Sequence, residues 1–428
     1  MTAPADRSAP DLDAPPRPAA ERPREVFRIE ATAEADGLQA RAGVIETAHG
    51  PIRTPAFVPL ATKATVKGML PTEVADLGYD IVLGNTFHLM LTPGHEHIKG
   101  HGGLHRYMRW DGPIITDSGG FQVFSMGHGT VADEIKGRRR DPKGPQATKS
   151  HARIDRIEEG GVAFRSYLDG SKQYLSPEGS MEVQAALGTD LAVVFDECTP
   201  FHVDREYTAR STERTHRWLE RCLTWHEQHA PNWQLVYGIV QGGVYEDLRT
   251  EATEHVASSR VDAIAIGGSL GENKDQMNEV VGWTTARLDR VAPQKPRHLL
   301  GIGEIDDLVR GVEQGIDTFD CAMPTRLGRH GMALVPEPAK RWRVDLSQAK
   351  WKTSDEPICD GCPCPACAHG FTRGYLRYLV HANELLAMRL LTQHNLAFVA
   401  RVMQRLRQAI IDGRLPEEAA AIRGGLLP

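Results

Sequence analysis

Four of the seven cysteines, Cys359, Cys362, Cys364 and Cys367, fall within nine residues. In a protein of a reducing compartment such crowding points to metal ligation rather than disulfides. The C-x-C-x2-C run of Cys362, Cys364 and Cys367 suits tetrahedral zinc. A closed site needs a fourth ligand, for which Cys359, His369, His381 and His394 are candidates. No open water position is implied, so the metal is expected to be structural. Carboxylates form the second chemical theme. In Thr116-Asp117-Ser118-Gly119-Gly120-Phe121 an acid leaves an apolar run into glycines, which let a ligand approach backbone N–H groups, and Phe121 offers a ring for stacking. In Phe195-Asp196-Glu197-Cys198 only one of the adjacent acids can face a site, because strand side chains alternate. Asp196 is expected to face the ligand and Glu197 to support it; helix capping is the plainer alternative. In Phe319-Asp320-Cys321-Ala322-Met323-Pro324-Thr325-Arg326-Leu327-Gly328-Arg329 a carboxylate precedes two arginines. Arginine grips phosphate in bidentate fashion, and a carboxylate beside it could attack a sugar carbon. An Asp–Arg ion pair that merely holds the loop is the alternative. Gln241, in Gly238-Ile239-Val240-Gln241-Gly242-Gly243, offers donors and an acceptor to a purine edge.

These residues share a position in the pattern. Short apolar runs recur at 55–60, 81–84, 113–116, 191–195, 235–240, 263–266, 298–302 and 316–319. Most end in a polar residue or glycine: Asn85, Asp117, Asp196, Gln241, Gly267 and Asp320. The runs are continuous rather than alternating, as in parallel strands buried on both faces. Helical spacing lies between them at 204–229, 245–258 and 274–291. Eight strands alternating with helices predict an α/β fold of the (β/α)8 TIM-barrel type, whose sites lie at the C-terminal strand ends. The strand-terminating acids and amides would then converge on one mouth. A doubly wound open sheet is the alternative.

The expected organisation is an Ala/Pro-rich disordered tail over 1–24, a catalytic barrel over 25–340, and a zinc-binding subdomain with C-terminal helices over 341–428. The barrel carries a basic insertion at about 127–155. Such charge runs are commonly solvated loops, with nucleic-acid contact the functional alternative. The 428 residues, 41% hydrophobic and 25% charged, suffice for a large core. No apolar run has transmembrane length and no secretory signal is visible, so a cytoplasmic protein without a membrane partner is expected. A net charge of -6 excludes a globally basic nucleic-acid binder, so any RNA contact must come from a local basic face.

Taken in order, these strings, with Leu83-Gly84-Asn85-Thr86-Phe87-His88-Leu89, resemble the tRNA-guanine transglycosylase (queuine tRNA-ribosyltransferase) family from about Phe27 to Ile411. The resemblance implies that Asp320 is a nucleophile on ribose C1′ and Asp117 the general acid/base. It implies purine contacts for Asp196, Gln241 and Gly268, stacking for Phe121, and tRNA contacts for Arg326 and Arg329. Cys362, Cys364, Cys367 and His394 match the family's zinc ligands, one structural zinc per subunit. The chemistry is coherent: two displacements through a carboxylate retain configuration, and a second carboxyl must protonate the departing base.

Cys198 resembles bacterial members, which insert preQ1 (7-aminomethyl-7-deazaguanine) at position 34 of G-U-N anticodons. The stretch Gly267–Glu272 is one residue shorter than their usual form. The chain ends soon after the zinc region, without the further RNA-binding domains of archaeal members. Partners implied by the resemblance are the tRNA anticodon loop, a free 7-deazaguanine base and a second copy in a homodimer. Three rivals stand beside this reading: a non-catalytic partner subunit, which should lack Asp320 or Asp117; a sugar-cleaving barrel; and a hydrolase with a catalytic zinc.

Overall fold

The computed structural model describes residues 19–33, 37–128, 153–199 and 203–426. Its centre is an eight-stranded parallel sheet: β1 (Ala56–Val58), β2 (Val82–Gly84), β3 (Ile114–Thr116), β4 (Leu191–Val193), β5 (Leu235–Val240), β6 (Ala263–Ile266), β7 (Arg297–Leu299) and β8 (Thr318–Asp320). Neighbours follow chain order from β2 to β8, and β8 pairs in parallel with β1. A parallel bridge from Leu60 to Leu83 joins β1 to β2 and closes the ring. All residues of β2 to β8 are buried, which is why the runs lack alternation. Each expected run overlaps one of these strands, and with the ring closed the (β/α)8 barrel replaces the open-sheet alternative.

The helices that matter to the site are α1 (Thr86–Leu91), α2 (Arg205–His229), α3 (Glu246–Ser258), α4 (Lys274–Val291), α5 (Met323–Arg329) and α7 (Leu385–Ile411), with α6 (Arg373–His381) in the C-terminal region. Three N-caps explain where they start. Asn85, Asp204 and Asn273 accept from His88 N, Tyr207 N and Gln276 N, each satisfying an orphan donor of the first turn. Asp204 caps α2, so the alternative in which Asp196 or Glu197 caps that helix does not hold. Residues 129–152, most of the basic insertion, lie outside the described residues. So do residues 1–18 of the tail; beyond them Ala20 N donates to Ala48 O at 3.0 Å and Arg22 pairs with Asp262.

Two buried acids tie an N-terminal antiparallel sheet (Phe27–Thr32, Arg41–Thr47, Gly50–Thr54) to the barrel foot. Arg41 grips Asp317, just before β8, with Nε–Oδ1 at 2.9 Å and Nη2–Oδ2 at 2.6 Å. Asp190, just before β4, takes His49 Nδ1 on Oδ1 at 2.8 Å and His105 Nε2 on Oδ2 at 3.1 Å. Backbone N–H groups of His49 and Ile114 complete its shell at 3.0 and 2.9 Å. The two imidazoles stack with centroids 3.7 Å apart. Burial alone would raise the Asp190 carboxyl, but bonds from His105 and His49 outweigh it and hold the group well below the usual carboxylate range. A depressed folded pKa gives stability that is complete above the unfolded value and fades as the pH falls below it. Asp190→Asn is therefore expected to lose about 3 kcal/mol at pH 7. The gap to wild type should close as pH drops below about 4. Denaturant unfolding across pH checks this, and equal stabilities at pH 7 would refute it.

Candidate functional site

The C-terminal strand ends open on a cavity of about 220 Å³ that both Asp117 and Asp320 line, together with Asn85, Phe121, Asp196, Cys198 and Gly268. That is smaller than the roughly 300–1,000 Å³ of drug-sized sites and suits a single heterocycle.

Asp117 follows β3. Its Oδ1 accepts from Thr86 N at 2.9 Å and its Oδ2 from Asn85 Nδ2. Asn85 thus works at both ends of its amide, capping α1 through Oδ1 and holding Asp117 through Nδ2. Burial pushes the Asp117 carboxyl up to about 7, and the charge of Asp320 adds to this, against the Thr86 N–H. At neutral pH a large fraction of Asp117 therefore carries a proton.

Asp196 follows β4. Its Oδ2 accepts from Gln241 Nε2 at 2.6 Å and its Oδ1 from Ser118 Oγ at 3.2 Å. Burial raises it to about 6 against those two bonds. Its neighbour Glu197 points away, pairing with Arg214 and accepting from Tyr207 Oη at 2.7 Å. Burial keeps the Cys198 thiol far above its ordinary range and hence neutral.

Asp320 ends β8. Its Oδ1 accepts from Gly301 N at 2.9 Å and lies 3.1 Å from His298 Nε2. Its hydrogen-bond partners are thus on the loop after β7 and on β7 itself, rather than Arg326 or Arg329, so the Asp–Arg ion pair that would only hold the loop does not form. The two arginines lie on α5, the next helix. Burial and the charge of Arg326 pull Arg329 below its ordinary value. Lys67 is likewise lowered, by burial, then by Arg329 and Lys63. These four cations, close enough to repel one another, form a local basic patch.

Arg249 of α3 is wholly buried and was not singled out by sequence. It donates to Gly243 O, Val240 O and Gly267 O at 2.8, 3.0 and 2.9 Å, and to Ser269 O at 3.2 Å. It thereby ties the loop after β5, which carries Gln241, to the loop after β6, which carries Gly268. Burial lowers it to about 9, still a cation at neutral pH. A charged residue among Leu248, Ala252 and Val256 on the buried face of a helix was the signal that could have found it. His298, an imidazole in a wholly buried strand, was the other.

Cys362, Cys364, Cys367 and His394 bring their ligand atoms within 4.8 Å of one another. His394 Nδ1 faces the sulfurs of Cys364, Cys367 and Cys362 at 3.2, 3.6 and 3.8 Å. Its Nε2 lies 2.7 Å from the Leu334 carbonyl, which fixes the ring with Nδ1 free to ligate. This set can hold a metal ion. Cys359 Sγ lies 3.9 Å from Nε2, the nitrogen already engaged, and His381 bonds Ser347 O instead.

The family model for queuine tRNA-ribosyltransferase matches residues 36–424. The chain belongs to the queuine tRNA-ribosyltransferase family. Among its relatives, the queuine tRNA-ribosyltransferase of Roseiflexus sp. (strain RS-1) is 47% identical over 88% of this chain and 94% of its own. That of Pelotomaculum thermopropionicum is 45% identical over 88% and 92%, and that of Bacillus subtilis (strain 168) 43% over 91% and 93%. The family is one of pentosyltransferases, and no helix among the described residues is long and apolar enough to cross a membrane. The structure brings the sequence-singled acids, Phe121, Cys198 and Gly268 to one cavity. It sets Gln241 behind Asp196, Arg326 and Arg329 on the following helix, and the Cys3His cluster apart from the cavity in the C-terminal region.

Gly268 has φ +81°, and a Cβ there would collide with Gln241 Oε1. Gly268→Ala is expected to weaken binding of free guanine by about tenfold or more and to lower the melting temperature, since Ala is strained at this φ. Calorimetric titration measures this, and wild-type guanine affinity would remove Gly268 from the pocket wall.

Proposed function

We propose that this chain exchanges guanine 34 of G-U-N anticodons in tRNA for preQ1, by double displacement through a covalent aspartyl-ribosyl tRNA intermediate. One observation carries the reading: Asp117 and Asp320 line a single cavity, and burial raises the Asp117 carboxyl to about 7, so that it can hold a proton at neutral pH. Asp320 attacks C1′ of the ribose as the C1′–N9 bond breaks, and Asp117 donates its proton to the departing guanine. The incoming preQ1 then returns a proton to Asp117 and attacks C1′, expelling the Asp320 carboxylate. Asp196, held from behind by Gln241, presents its carboxyl to the purine edge, Gly268 a backbone wall and Phe121 a stacking ring. The base must leave its stack to enter, and the anticodon loop presents unstacked bases that permit this. Lys63, Lys67, Arg326 and Arg329 supply the local positive field that a chain of net charge -6 otherwise lacks.

Three thiolates and one imidazole fit tetrahedral zinc in a closed, structural site, one per subunit. Zinc there would brace the C-terminal region. Beside it, Phe371, Tyr375 and Tyr378 stack in sequence, and Tyr378 and Leu385 are 62% and 77% exposed. This apolar stripe supports a homodimer. The enzyme acts in the cytoplasm, on soluble tRNA.

Asp320→Asn is expected to form no covalent RNA adduct on denaturing gels and to lose labelled-guanine exchange by at least about 10³-fold. An adduct that persists takes the nucleophile role from Asp320. In direct competition, purified enzyme should take up preQ1 in preference to queuine; preferential queuine uptake would overturn the choice of base while leaving the exchange chemistry intact.

A further inference from the structure

We infer that His298 is a positioning residue for the nucleophile, holding Asp320 by one oxygen so that the other faces the cavity. The inference rests on the reading of Asp320 given above. In the parallel pair β7–β8, His298 lies beside Thr318. Residues 318 and 320 point to the same face of β8, so one ring on the neighbouring strand reaches both. Its Nδ1 is 2.8 Å from Thr318 Oγ1 and its Nε2 is 3.1 Å from Asp320 Oδ1. Gly301 N donates to that same Oδ1. Among the described residues no donor reaches Oδ2, and Asp320 lines the cavity.

The chemistry of the ring fixes the direction of these bonds. An attacking carboxylate is ionised and can only accept, so Nε2 carries the hydrogen. A neutral imidazole then offers Nδ1 as an acceptor, and the Thr318 hydroxyl donates to it. Thr318 thus selects the tautomer, His298 and Gly301 N saturate Oδ1, and Oδ2 is left as the attacking atom. The same two donors stabilise the charge that returns to Asp320 when the second base displaces it. A wholly buried imidazole between strands is costly unless both nitrogens are paired, and one of its two partners is the reactive group.

The test compares His298→Phe, His298→Gln and Asp320→Asn in the full chain with an anticodon-loop tRNA substrate. His298→Phe should slow single-turnover adduct formation, and its release by added guanine, by about 10- to 100-fold, the scale of one hydrogen bond to a charged group. The tRNA KM should stay within about twofold, because the ring is not part of the cavity lining. His298→Gln restores a donor and should recover most of the rate. Wild-type rates in a folded His298→Phe overturn the inference, as do equal losses in both variants that track melting temperature. If the Phe variant does not fold, Thr318→Val carries the test, since it keeps the ring and removes its tautomer control. Slower adduct formation supports the inference and an unchanged rate overturns it. An adduct in Asp320→Asn overturns the nucleophile reading itself, whereas failure confined to the His298 and Thr318 variants leaves that reading standing.

Discussion

A second carboxyl group cannot ionise freely in a small cavity that already holds one. Removal from water penalises charge on Asp117, and the charge on Asp320 adds to that penalty. The remaining geometry serves this asymmetry. Asn85 and Thr86 both donate to Asp117, and the Thr86 N–H opposes the rise that burial imposes on its carboxyl. Asp320 receives its donors on one oxygen only. A proton can therefore reside on Asp117 while Asp320, on the lining of the same cavity, keeps one oxygen clear. The barrel is suited to this because strands three and eight are not neighbours in the ring, yet their ends face the same mouth.

The C-terminal region is coupled to this mouth through a short path. Leu334 is held by two consecutive residues of α7: its carbonyl lies 2.7 Å from His394 Nε2, and its N–H donates to Asn395 Oδ1 at 2.7 Å. Asn395 Nδ2 also donates to Pro324 O on α5, at 3.0 Å. Helices α5 and α7 approach so closely that a Cβ on Gly328 would lie 2.7 Å from Thr392 N. The Cys3His cluster thus fixes the ring whose neighbour holds the helix that follows Asp320 and carries Arg326 and Arg329. A metal held there would steady Arg326 and Arg329 from a distance, as expected of a closed rather than an open site.

The strand positions and the residues that end them were legible because each buried strand is short, continuous and punctuated by a polar residue or glycine. The helices over 204–229, 245–258 and 274–291 were legible for the complementary reason, a one-sided apolar stripe that stops at a cap. What spacing left open was the fourth metal ligand: His394 lies 27 residues beyond Cys367 on a long helix, and only the packing of α7 against the loop carrying Cys362 separates it from His369 and His381. His298 and Arg249 were hidden for another reason. Each makes its bonds across to a neighbouring strand or loop, so its role depends on register, which a sequence pattern does not display.

Register also explains why the foot and the mouth of the barrel use polar groups so differently. At the foot, Asp190 and Asp317 have both oxygens occupied by donors from other elements. Donors on both oxygens there turn a carboxylate into a rivet between elements. At the mouth, Asp320 sits two residues beyond the strand's start, on the far side of the same barrel, and keeps one oxygen clear. The same side chain is engaged on both oxygens or left with one clear according to how many donors the surrounding elements supply. That count is set by which residue of β7 stands beside which residue of β8.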